Sequence, residues 1–240
     1  MQKIIFFWYL LMLAISSSAF AENNNPLPCR TEEFFETGAR PTVEALLRSN
    51  FVDAPVVEAT SENTKGYGEI VDNFDQASVK VIKWPSHGFR PVLKGNEGGI
   101  VEGRFTMTWQ KDDSCRAINA AVGGDYITGA RDKDSIYAHE ANYHPDGSQI
   151  VFPNDNQPFI LLLAKGKNPE NPDEIYPSDF VAFRFRGDKG FSIAPGVWHQ
   201  PAYPLSKSAT FDDKQGAVHA CVPVNFMKEF GVVVRIPHVF

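Results

Sequence analysis

The strongest constraint on this chain is its punctuation: short apolar runs with a period near two, cut by Pro and Gly before any helix of normal length can form. Phe105, Met107 and Trp109 place bulky side chains on one strand face, opposite Thr106 and Thr108. A similar alternation begins at Val79, where Val79, Val81 and Lys83 interleave with Lys80, Ile82 and Trp84. Further strands are predicted over Ile136 to Ala141, Gln149 to Phe152, Phe159 to Ala164 and Phe180 to Phe185. Later ones cover Phe191 to Ala194, Val218 to Val222 and Val232 to Ile236. Lys111-Asp112-Asp113, Pro145-Asp146-Gly147, Lys165 to Pro172 and Arg186 to Gly190 read as turns or loops. No repeated strand–helix–strand crossovers occur, so the expected class is all-β, a sandwich or jelly-roll barrel. Two short N-terminal helices are expected, one capped by Thr31 and one by Thr42. Asn50 to Asn63 reads as irregular, with Pro55 breaking any longer element.

A chain of 240 residues with 43% hydrophobic content and 19 Phe buries a core without covalent staples. Its net charge of −6 is spread along the chain without a Lys/Arg block, which argues against a nucleic-acid partner. The N-terminus departs from this pattern. Lys3, the apolar run Ile4 to Ile15, three serines and Ala19-Phe20-Ala21 read as a secretory signal, residues 1–21. The apolar run is shorter than the roughly 20 residues a bilayer-spanning helix needs. The expected product is therefore exported, periplasmic or secreted, with no stable transmembrane segment after cleavage near Ala21. A flexible stretch, 22–30, then leads into one domain, 31–240. Cys29, Cys115 and Cys221 are compatible with one disulfide in an oxidising compartment, the pairing being open.

Two turns carry the chemistry. One is His139-Glu140-Ala141-Asn142-Tyr143-His144-Pro145-Asp146-Gly147-Ser148-Gln149; the other runs from Gly190 to Ala194-Pro195-Gly196-Val197-Trp198-His199. Pro195-Gly196 permits a tight turn that holds His199 at a strand end, pointing inward. One imidazole nitrogen is then free for substrate or metal while the other is fixed by an acceptor. His144 and Gln149, five positions apart across a turn, converge on one centre if that turn is tight. Arg184 and Arg186 share a strand face and suit a carboxylate if that face lines the cavity; otherwise they are exposed charges. Trp84, Trp109 and Trp198 read either as pocket wall or as core. His219 lies in a strand-like run and is a further inward candidate; His87 and His238 have no chemical companions nearby. Rossmann, Walker and serine-elbow patterns are absent.

The run Pro195-Gly196-Val197-Trp198-His199 resembles the second motif of the cupin superfamily. More narrowly, His144-Pro145-Asp146-Gly147-Ser148-Gln149 with Phe152-Pro153, paired with Gly196-Val197-Trp198-His199-Gln200-Pro201, resembles the ureidoglycolate lyase family. The likeness is strongest over Ile136 to Leu205 and extends as a fold over Val79 to Arg235. It implies a cupin-like barrel and cleavage of ureidoglycolate to glyoxylate and urea. It also implies that His144, Gln149 and His199 form an inward set around a divalent metal of unspecified identity or around substrate oxygens. Glu140 or His219 would complete that set. Asn142 departs from the pattern: the family commonly has an acidic residue there, and cupins more broadly a metal-binding histidine.

On that reading His144, His199 and Glu140 are the catalytic candidates, transferring protons between the hydroxyl and the departing nitrogen. Gln149, Arg184, Arg186 and Trp198 are the substrate-binding candidates. The expected partner is a small-molecule carboxylate, and a homodimer is compatible with the chain. Two alternatives stand beside this: an exported cupin enzyme for another small hydroxy- or oxo-acid, and a noncatalytic binding module.

Overall fold

The alternation at Phe105, Met107 and Trp109 becomes the buried face of a long strand, with Thr106 and Thr108 on the other side. The computed structural model describes residues 41–82, 100–110, 116–119, 127–144, 147–168, 171, 173–216 and 222–240. The signal segment, the Thr31 helix, Trp84, His87, the Lys111–Asp113 turn, His219 and the three cysteines lie outside the described residues.

The first elements are α1 (Val43–Arg48), β1 (Phe51–Asp53), β2 (Val56–Glu58) and β3 (Gly68–Val71). They are followed by β4 (Ile100–Gln110), β5 (Arg116–Asn119), β6 (Ile127–Arg131), β7 (Ile136–Ala138) and β8 (Glu140–Tyr143). The middle of the chain supplies β9 (Gln149–Pro153), β10 (Phe159–Ala164), β11 (Val181–Phe185), β12 (Gly190–Ile193) and β13 (Trp198–His199). The last elements are β14 (Tyr203–Pro204), β15 (Ser208–Gly216), β16 (Val222–Asn225), α2 (Phe226–Phe230) and β17 (Val233–Ile236). Among the described residues they form two sheets, ordered β1-β17-β7-β6-β5-β4-β15-β9-β12-β3 and β16-β8-β13-β10-β11-β2, with β14 beside β10. Pairing is antiparallel except for β1 with β17 and β2 with β11.

Aromatic contacts between the sheets define the interior. Phe159 of β10 meets Phe211 of β15 at 5.2 Å between ring centroids, and Phe185 of β11 meets Phe191 of β12 at 5.4 Å. Every residue of β10 is buried, which explains its unbroken apolar run: neither face has to meet water. Trp109 belongs to this core, stacked on Tyr203 with its indole N–H donating to the Pro204 carbonyl at 2.7 Å.

Thr42 caps α1 as expected, its hydroxyl oxygen accepting from the Ala45 N–H at 3.1 Å, a contact worth about 1 kcal/mol. Six residues are too few for an autonomous helix; Val43 and Leu46 hold α1 by packing with Ala130, Tyr137 and Val233.

Two expectations are corrected, and one strand is found where none was expected. Asn50 to Asn63 is not wholly irregular, because β1 and β2 lie on either side of Pro55 and each adds in parallel to a sheet edge. The strand expected from Val79 reduces, over its described part, to a single bridge between Val81 and Gly147, with Val79 packed beside Val71 and Ile150. The polar run Ser208–Gly216 is a nine-residue strand, paired with β4 on one side and β9 on the other.

Candidate active site

The two chemically interesting turns meet through their backbones. Val197 N–H donates to the Ala194 carbonyl at 3.1 Å, with Pro195 and Gly196 at the corners and Gly196 at φ 76°. Pro followed by a residue of positive φ makes a type II turn, the geometry the sequence called for. The Gly196 N–H then donates to the His144 carbonyl at 3.0 Å, tying the end of β8 to the β12–β13 connection.

Strand parity shows which side chains face inward. Phe159, Leu161 and Leu163 share the face of β10 that contacts Phe211 across the sandwich, and His199 stands opposite Leu163 in register. Asn142 of β8 stands opposite His199 in turn, so it shares this face. His144 joins them from just beyond β8: the His144 and His199 rings lie 5.1 Å apart, tilted by 40°. Both imidazoles are buried. The Nδ1 of His199 lies 2.8 Å from the Val197 carbonyl oxygen. A carbonyl only accepts, so Nδ1 carries the hydrogen and Nε2 is left as an acceptor. Burial, and then the neighbouring His144, hold the His199 pKa down to about 3, so the ring is neutral near pH 7.

The facing sheet contributes a carboxylate that sequence reasoning missed. On β15, Asp213 and Gln215 follow Phe211 on the inward side, and Gln149 of β9 lies in register with Gln215. Gln149 Nε2 donates to Asp213 Oδ1 at 2.9 Å. Asp213 is only 2% exposed, and burial raises its pKa to about 7. Lys214, on the opposite face, donates to the Phe74 carbonyl at 3.0 Å and caps that ring. The signal was present: Ala209, Phe211, Asp213 and Gln215 alternate, but two consecutive aspartates and a lysine mask the period. Gln200, also missed, donates to the Glu140 carbonyl.

The other predicted residues divide between this face and the outside. Glu140 shares the Asn142 side of β8, with His139 3.6 Å away, and its charge, after burial, raises the Tyr203 pKa. Arg184 and Arg186 do not reach the imidazoles: both are exposed, Arg184 lies 3.9 Å from Glu58, and Arg186 lines an outer groove of about 940 Å³ beside β2 and β3. Their parity is opposite to Phe183 and Phe185, which fill the core, so they cannot line the inter-sheet site. Trp198 likewise faces away from His199, packing edge-on against Tyr143 at 4.8 Å, while Tyr143 donates to Asp173 at 2.7 Å. The exposed His238 pairs with Asp134. Near these strands, the buried His139 Nδ1 and Asn142 Oδ1 have no hydrogen-bond partner among the described residues.

His144 and His199 supply imidazole nitrogens and Gln149 retains its Oε1, but no group of three His, Cys, Asp or Glu gathers among the described residues. Two nitrogens and one oxygen stand at the lower end of the three or four N, O or S ligands a first-row metal usually takes from protein, and His219, the further candidate, lies outside the described residues. Among the described residues, no helix is long and apolar enough to cross a membrane.

A two-sheet, largely antiparallel sandwich with paired imidazoles facing its interior is a cupin-like domain. Over residues 126–233 the chain matches the family model described as ureidoglycolate lyase. The chain is similar to a ureidoglycolate lyase of Agrobacterium fabrum, with 29% identity over 42% of this chain and 56% of the relative. It is also similar to those of Brucella ovis, at 33% over 28% of this chain and 37% of the relative, and Rhizobium etli, at 31% over 36% and 46%. The chain thus spans about half the length, or less, of the curated relatives it matches.

Proposed function

We propose that this domain cleaves the C–N bond of ureidoglycolate, or of a closely related ureido-bearing hydroxy acid, releasing glyoxylate and urea. The observation that carries the reading is the buried His144–His199 pair, one ring fixed with Nε2 as acceptor, inside the segment similar to named lyases. In the reaction the O–H and C–N bonds break as the C=O bond forms. The bonding pair leaves with the urea nitrogen, so the net change moves one proton from oxygen to nitrogen. His199 Nε2 receives the hydroxyl hydrogen. His144 delivers a proton to the departing nitrogen, and the proton taken by His199 passes on to His144, so the pair ends as it began. His144, His199 and Gln149 are the residues that would hold a divalent metal, which would stabilise the charge developing on oxygen.

Asn142, in place of the family's acidic residue, favours a related substrate as the second reading. The N-terminal apolar run supports action outside the cytoplasm, with a mature chain beginning at Glu22 that intact-mass measurement of exported protein would reveal.

The test incubates purified mature chain with ureidoglycolate, with and without added divalent metal, and follows glyoxylate. Release is expected, falling at least about 100-fold in His199→Ala, the scale of one proton-transfer group. No release under either condition refutes the lyase reading.

A further inference from the structure

The Gln149–Asp213 contact decides which end of the Gln149 amide is offered to a ligand. Asp213 Oδ1 accepts the Gln149 Nε2 hydrogen bond at 2.9 Å, at a position 2% exposed and anchored between β4 and β9. A carboxylate accepts only, and a carboxylic acid still keeps one accepting oxygen, so either form holds the amide nitrogen. The amide oxygen is thereby freed on the other side. Gln149 starts β9, in register with Ile193, the last residue of β12 before the turn that leads to His199. It therefore stands at the same end of the sandwich as the His pair.

His199 presents Nε2, also an acceptor, and Asn142 contributes Oδ1, buried and without a partner among the described residues. Three strands, β8, β9 and β13, thus each carry an acceptor at this end of the sandwich. Such a surface repels a carboxylate and suits a ligand rich in N–H and O–H groups. A ureido group carries three N–H bonds, and the adjacent hydroxyl adds a fourth donor.

We infer that Asp213 is a positioning residue that locks the Gln149 amide with Oε1 toward the His144–His199 pair, so that this wall reads the N–H donors of the ureido group and not the carboxylate. The inference rests on the lyase reading for its substrate, and the experiment separates the two. Steady-state kinetics at pH 8 would compare wild type, Asp213→Leu and Asp213→Asn, with urea and glyoxylate as product inhibitors.

In Asp213→Leu the KM for ureidoglycolate and the Ki for urea are expected to rise together, by about fivefold to tenfold, the scale of one lost hydrogen bond. The kcat should stay within about threefold and the glyoxylate Ki should not change. Asp213→Asn, whose Oδ1 still accepts from Nε2, should recover most of the loss. An unchanged urea Ki in folded Asp213→Leu overturns the inference, and so does a fall in kcat with KM intact, which would put Asp213 at the reacting atoms. If Asp213→Leu does not fold, Gln149→Met carries the same test, and an unchanged urea Ki there overturns it. If wild type releases no glyoxylate the lyase reading falls by itself, and calorimetric titration with methylurea decides the inference. Weaker binding by Gln149→Met than by wild type supports it; equal binding, or none, overturns it.

Discussion

Replacing Asp213 by Asn measures what a buried carboxylate costs this fold. Its pKa is raised by burial from 3.8 to about 7, and the hydrogen bond from Gln149 only partly offsets that shift. Between those two values the folded chain holds a proton that the unfolded chain has released. Stability therefore falls as pH rises through that window; the contribution is complete below about pH 3.8 and lost above about pH 7. Roughly three pH units at about 1.36 kcal/mol each amount to about 4 kcal/mol. The amide introduced by Asp213→Asn cannot ionise, so the variant's profile lacks this slope. Urea denaturation of both proteins from pH 4.5 to 8.5 isolates the term, because every other titrating group is common to both. The stability of Asp213→Asn relative to wild type should climb by about 3 to 4 kcal/mol across the range. Parallel profiles for the two proteins would refute the reasoning.

Two smaller perturbations test the placement of the turn and of the arginines. Gly196 sits at φ 76° with open space where a Cβ would go, so Gly196→Ala meets only the left-handed backbone penalty. It should lose about 1 kcal/mol in urea denaturation, and Gly196→Asn less; full stability in the Ala variant would contradict the turn geometry. Arg184→Ala with Arg186→Ala, both outward and exposed, should leave KM within about twofold and stability within about 0.5 kcal/mol of wild type. A large rise in KM would place the guanidinium groups at the substrate after all.

Local signals were legible where one side chain or one period sufficed. The Thr42 cap, the Pro195-Gly196 turn and the Phe105–Met107–Trp109 face all appear where the sequence puts them. The continuous apolar run of β10 likewise announced a strand covered on both sides. These features depend on torsional preference and on burial of one face, and neighbouring residues encode both. The family motifs had a similar reach: they named His144 and His199, which the fold sets 5.1 Å apart.

Partnership across the sandwich was not legible. Ser208–Gly216 reads as a polar segment because its aspartates, lysine and glutamine have low strand preference. Between β4 and β9 its backbone groups find partners on both sides, and that pairing outweighs intrinsic propensity. Arg184 could not be assigned from alternation, since period two tells which residues share a face but not which face is inside. Glu140 and Asp213 show the same limit: the candidate carboxylate came from the motif, whereas the one beside Gln149 came from a strand more than sixty residues away in sequence. The sequence by itself determined an all-β chain with two histidine-bearing turns, because strand period and turn chemistry are local. Only the tertiary structure decided that Asp213 holds Gln149 from the facing sheet and that Arg184 and Trp198 turn away from the side His199 faces, because contact across two sheets depends on register and packing.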